Sequence, residues 1–235
     1  MQRAVLSPHA WRRGRLREVQ QARLLHHVRQ EHEQGRIGPQ DFADQHEAQQ
    51  RHLRLSTMGT GRVHMNAPLE STPIVHVDWS PPYPCPSHTT LPIPWDIHGR
   101  RILVVSDEEV GDRLAPTPNA FLWIVDITEE TKPTPIATYR ARQDDQPFDP
   151  ECWYGCHQSQ EQVYDNRLAV TWFGGGLRMV DIANPWRPEE LGYYIPEPGQ
   201  GQKVAQSNDV FATQEGLYYV VDRLGGFDIL EWIGA

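Results

Sequence analysis

Three short polar segments stand at matched places in the second half of this 235-residue chain: Pro86-Ser-His88-Thr89, Tyr154-Gly-Cys156-His157-Gln158 and Ser207-Asn208-Asp209. Each opens a strand-like stretch, and each places an imidazole, amide or carboxylate at the start of it. Cysteines accompany two of them, as Cys85-x2-His88 and as Cys152-x3-Cys156-His157. Imidazole combined with thiolate or carboxylate is a donor set for zinc or copper. His88 and His157 are therefore the first candidate metal ligands, with Cys85 and Cys156 behind them. Asn208 and Asp209 complete a candidate polar ligand site. Glu161 and Glu108 each lie near an inner strand-like stretch and could act as bases or ligands, or stand as solvated turn carboxylates. The competing reading is a water-filled polar channel with cysteines packed as small hydrophobes. No Ser-His-Asp or Cys-His-Asn arrangement can be assembled from the chain. His26, His27, His32 and His46 do not share a helical face and read as solvated.

The elements that must position these groups form an internal repeat. The first unit, residues 86–141, contains Arg101-Ile-Leu-Val-Val-Ser-Asp107, Phe121-Leu-Trp-Ile-Val-Asp-Ile127 and Pro135-Ile-Ala-Thr-Tyr139. The second, 157–196, contains Arg167-Leu-Ala-Val-Thr-Trp-Phe173, Gly176-Leu-Arg-Met-Val-Asp-Ile182 and Glu190-Leu-Gly-Tyr-Tyr194. The third, 204–235, contains Ser207–Thr213, Gly216–Asp222 and Gly226–Trp232 but has no fourth strand of its own. Leu122, Leu177 and Phe227 open equivalent third strands. A meander of four short strands repeating at about 40–50 residues is the pattern of a β-propeller blade. First strands of blades line a central axis, so residues at their starts converge on a common point. Asp126 and Asp181 end their strands just before a turn, where a carboxylate accepts backbone N–H groups.

Upstream, residues 10–34 and 41–55 are rich in helix formers around a Gly35–Pro39 breaker, which predicts an α-helical hairpin over 1–56. Residues 57–73 have the composition of a linker. Ile74–Trp79 alternates as a strand, either closing the third unit or ending a preceding blade. The fold class expected is mainly β: a partial propeller of about three to four four-stranded antiparallel blades over 74–235, preceded by the hairpin. So few blades do not close a typical ring, which implies either the remainder of a longer propeller or self-association.

Charge narrows the partners. The chain carries a net charge of −9, yet residues 1–55 hold ten Arg against six acids, leaving the β-rich part strongly acidic. An acidic body excludes a phosphate-binding face, so no nucleic-acid partner is expected. No apolar run reaches the ~18 residues of a membrane span. Three cysteines form no closed disulfide set, which fits a reducing, cytoplasmic setting.

The third-strand stretches LWIVDITEETKPTPIATY and LRMVDIANPWRPEELGYY resemble the LVIVD-repeat propeller proteins, over roughly residues 85–235. That resemblance implies a propeller fold and a scaffold that binds a ligand or partner. A fainter likeness is to the selenium-binding proteins, propellers that include copper-dependent methanethiol oxidases. It rests on Pro86-Ser-His88-Thr89 and Trp153-Tyr-Gly-Cys-His157-Gln158, with Gln158 where those proteins carry Asn. The second resemblance implies a copper- or zinc-dependent oxidoreductase with its site at the propeller axis. The two function readings are thus a binding scaffold and a metal-dependent enzyme.

Overall fold

The structure is a computed structural model, and it describes residues 16–18, 54–58, 62–66, 73–78, 85–109, 120–141 and 154–234. Within these residues the chain is built from strands arranged in antiparallel sheets. The first sheet runs β2 (Arg54–Met58), β3 (Arg62–Asn66), β4 (Pro73–Asp78). The second is the meander β5 (Ser87–Pro92), β6 (Ile102–Asp107), β7 (Leu122–Asp126), β8 (Thr134–Tyr139). The third is β9 (Arg167–Thr171), β10 (Leu177–Asp181), β11 (Glu189–Tyr194). Segment 157–160 extends it along the free side of β9, through a bridge between Ser159 and Val170. The fourth is β12 (Ser207–Ala212), β13 (Leu217–Asp222), β14 (Gly226–Trp232), completed by β1 (Leu16–Glu18) alongside β14.

Alternation along the strands explains why the sheets stack. In β9, Leu168 and Val170 enter one apolar cluster shared with the second sheet, whereas Ala169 enters another shared with the fourth. Leu177 and Met179 of β10 join Ala169 there, with Val210, Ala212, Tyr218, Val220 and Leu230 opposite them. A strand buried on both faces reads as a continuous apolar run, and Ile102–Val105 is such a run, buried throughout. Val75 and Val77 of β4 pack against the same cluster from the first sheet.

The turns are set by side chains. Asp126 accepts the Thr128 N–H at 2.8 Å, and Asp181 accepts the Ala183 N–H at 2.7 Å. These are Asx turns, which stop the third strand and reverse the chain. Gly176 has φ +74, and a Cβ there would meet the Tyr194 carbonyl oxygen at 2.1 Å. Only glycine lets β11 return that closely.

The amino-terminal expectations, a helical hairpin and a linker, meet the structure only at the few residues described there. Where the helical hairpin over 1–56 was expected, Leu16–Glu18 and Arg54–Leu55 are strand, and the other residues of that stretch lie outside the described ones. The expected linker over 57–73 includes Thr57–Met58 and Arg62–Asn66, both strand. Helix propensity amounts to tenths of a kcal/mol per residue, and pairing with an open sheet edge outweighs it. β4 ends a preceding sheet, and Leu16–Glu18 supplies the fourth strand of the last one.

Candidate metal centre

His88, Glu108 and His157 come together on the side where the first strands of the second, third and fourth sheets lie next to one another. Each offers one ligand atom, and these atoms all lie within 4.8 Å of one another. His157 is buried, Glu108 half-buried, and His88 the most exposed of the three. His157 Nε2 stands 3.5 Å from Glu108 Oε1, and the two imidazole rings are 4.3 Å apart between centroids.

Local structure places each group. β5 carries a bulge between Ser87 and Thr89, so His88 drops out of the ladder and its side chain leaves the sheet face. β12 carries the same irregularity between Ser207 and Asp209, which gives Asn208 the place that His88 has in β5. Glu108 follows the last residue of β6 and is pinned by its N–H to the Pro86 carbonyl at 2.8 Å. His157 is held by its N–H to the Thr171 carbonyl at 3.0 Å. Phe173, at φ +41 in the β9–β10 turn, packs on the His157 ring with centroids 4.8 Å apart.

Hydrogen bonding assigns the tautomers. The Asn208 carbonyl can only accept, so His157 must donate to it from Nδ1, leaving the lone pair on Nε2 toward Glu108. The Thr89 hydroxyl donates to Gln158 Oε1 at 2.9 Å, so it accepts from His88 Nδ1 at 2.7 Å. His88 thereby also carries its lone pair on Nε2. Fixing a ligand imidazole through a hydrogen bond at its other nitrogen is the usual way proteins orient such rings. Burial lowers the pKa of His157 below the ordinary 6.5, helped by His88 and Arg223 and opposed by the Asn208 carbonyl and Glu108. A neutral imidazole is the form that binds metal.

The other sequence candidates fall elsewhere. Asp209 is exposed and turns its carboxylate to the N–H of Val210 at 2.7 Å. The bulge is the reason: it advances the register by one, so the Asn208 backbone carbonyl reaches His157 while the Asp209 carboxylate stays exposed. Glu161 is exposed and outside the cluster. Cys85 and Cys156 are free, buried members of the apolar core. Burial, with Glu109 and Asp107 adding to it, pushes the Cys85 thiol up to about 12, and burial pushes Cys156 well above its ordinary value. Neither is a thiolate, so neither is poised as a ligand. Thr89, Gln158 and Phe173 stand in the stretches quoted from the sequence but were given no role at the site; their adjacency to His88, His157 and the glycine turn was the available signal.

No known family's sequence pattern matches the chain, and no curated protein does either. Among solved structures, it is similar to the β-propeller domain of Myceliophteria thermophila Cps50 (Swd1), with a TM-score of 0.48 and 7% identity over 77% of this chain and 50% of that one. It is also similar to the computationally designed Ika8 protein, with a TM-score of 0.39 and 8% identity over 77% of this chain and 55% of that one. The chain thus spans about half the length of either.

Proposed function

We propose that this chain is a β-propeller scaffold of the LVIVD-repeat type whose ligand is a zinc or copper ion held by His88, Glu108 and His157. The observation that carries the reading is the convergence of three donor groups from three segments, with both imidazole tautomers set toward Nε2 coordination. Ligand atoms about 2.1 Å from a tetrahedral ion stand about 3.4 Å apart. The Glu108–His157 spacing of 3.5 Å already meets this, and side-chain rotation must close the widest spacing in the group, at most 4.8 Å, by up to about 1.4 Å. Two histidines and one carboxylate neutralise one positive charge and hold the ion without any thiolate. Such a set suits zinc and also accepts copper.

The test is metal content and affinity of the purified protein. Mass spectrometry after loading and dialysis should return about one zinc or copper per chain. His157→Ala, His88→Ala and Glu108→Gln should each lower affinity at least about tenfold, because a three-donor site does not survive the loss of one donor. Thr89→Val should weaken binding by about tenfold while leaving all three donors in place. Retention of full affinity in His157→Ala would end the proposal.

A metal-dependent oxidoreductase is the second reading, favoured by His88 being the least buried of the three donors. Three protein donors leave a further coordination position on that side, as in catalytic rather than structural sites.

A further inference from the structure

The repeat sets Arg223 in the place of Glu108. Ser106 pairs with Leu122, Thr171 with Leu177 and Val221 with Phe227 at equivalent points of three ladders. Two residues further on stand Glu108, Phe173 and Arg223. The same backbone bond pins the first and the last. Glu108 donates its N–H to the Pro86 carbonyl at 2.8 Å, and Arg223 donates its N–H to the Gln206 carbonyl at 3.0 Å. After each acceptor comes a serine paired with the aspartate that ends the neighbouring strand, Ser87 with Asp107 and Ser207 with Asp222. Three successive sheets thus bring a carboxylate, an aromatic ring and a guanidinium to one repeated position.

The side chains keep that order in space. The Phe173 ring lies 4.8 Å from the His157 ring between centroids, and Arg223 Cζ lies 5.7 Å from the Phe173 centroid. Burial is the main reason His157 stays neutral, and the Arg223 charge adds to it. A cation beside a metal-binding cluster does nothing to hold the ion, since like charges repel. It is suited instead to an anion shared with the ion, because a guanidinium lying on an aromatic face still presents its planar fork of N–H donors. Two imidazoles and Glu108 leave a divalent ion with residual positive charge, and the exposed, long side chain of Arg223 brings more. We infer that the centre takes a small carboxylate as its ligand, one oxygen at the open coordination position and the other on Arg223. This rests on the metal reading above and names the ligand class for it. A carboxylate matches a single guanidinium, whereas phosphate contacts gather several cations, which this acidic part of the chain does not offer.

The test uses the full chain loaded with cobalt(II), a stand-in for zinc whose visible absorption reports on its open coordination position. Cobalt affinity is measured first. Acetate and inorganic phosphate are then titrated in separate arms against the wild type, Arg223→Gln and Arg223→Lys. Acetate should change the wild-type spectrum, and Arg223→Gln should weaken its binding at least about tenfold, with Arg223→Lys between the two. Cobalt affinity should be unchanged or slightly higher in Arg223→Gln, because a repelling charge has gone; a structural role for Arg223 would lower it. Equal acetate affinity in the wild type and Arg223→Gln overturns the inference and leaves the metal reading standing, as does a wild-type spectrum that acetate does not change. Tighter binding of phosphate than of acetate overturns the carboxylate assignment. Loss of cobalt affinity in Arg223→Gln overturns the inference by making Arg223 part of the scaffold. A chain that takes up no cobalt overturns this inference and the metal reading together.

Discussion

Glu190→Gln is the sharpest probe of what holds the second and third sheets together. Arg178 is fully buried in β10, and its Nε donates to the Gly175 carbonyl at 2.9 Å. Its Nη1 lies 3.3 Å from Glu190 Oε2, its Cζ lies 4.6 Å from the Tyr193 ring centroid, and Tyr154 Oη is 3.5 Å from Nη2. Tyr139, from the second sheet, donates its hydroxyl to the same Glu190 oxygen. Burial, and then Glu190 itself, raises the Tyr139 pKa well above 10, which keeps it a donor. At 3.3 Å and an effective dielectric of about 20 the gross attraction is about 5 kcal/mol. Removing one partner of a buried pair costs about 3–5 kcal/mol, and the partial exposure of Glu190 moves the expectation to about 2–3 kcal/mol. Arg178→Met, which removes the buried charge and fills the space, should cost about 1–2 kcal/mol. The double variant should be no worse than Arg178→Met by more than about 0.5 kcal/mol, because the orphaned charge is gone. Denaturant unfolding of the four proteins measures all three values. A Glu190→Gln loss below about 0.5 kcal/mol, or simple additivity in the cycle, refutes the argument.

Gly176→Ala should destabilise by about 3 kcal/mol or disrupt β10–β11 pairing, since φ +74 is costly for alanine and the Tyr194 carbonyl occupies the Cβ position; thermal melts will show it. Leu122→Ala and Leu177→Ala should each cost about 2–5 kcal/mol, whereas Phe227→Ala should cost under about 1 kcal/mol; equal losses would contradict the burial of the two leucines against the exposed Phe227. At Asp126, burial works to raise the carboxyl pKa, but hydrogen bonds from Thr128 and the nearby Arg100 outweigh it and hold the group below 3.8. Its contribution is therefore present above about pH 4 and drains away as pH falls further, so Asp126→Asn should flatten the acid limb of a stability–pH curve.

The repeat was legible because its signals are local. A short, mainly apolar run closed by aspartate marks Leu122–Asp126 and Leu177–Asp181, and the aspartate that ends each strand accepts the turn N–H two residues on. The same spacing aligned His88 with His157, which the structure brings to a ring separation of 4.3 Å. Asp209 falls outside the cluster because a bulge is a register event: one skipped ladder position exchanges a side chain for a backbone carbonyl, and composition carries no mark of it. Glu108 reads as a solvated turn residue before a ligand, since only the backbone bond to Pro86 decides where it points. The strands at Leu16–Glu18 and Arg54–Met58 were hidden for another reason. Their partners, β14 and β3, impose a conformation that the residues' own preferences do not announce.

The pairing of Leu16–Glu18 with Leu230–Trp232 also governs the order of events in folding. Joining segments about 200 residues apart costs about 5 kcal/mol of loop entropy if it happens first, far more than three ladder pairs return. If the intervening sheets are already stacked, most of that cost has been met. β1 should thus dock last and leave first. While it is away, Gly226–Trp232 presents a bare hydrogen-bonding edge, and that interval is when strands of other chains can add to it.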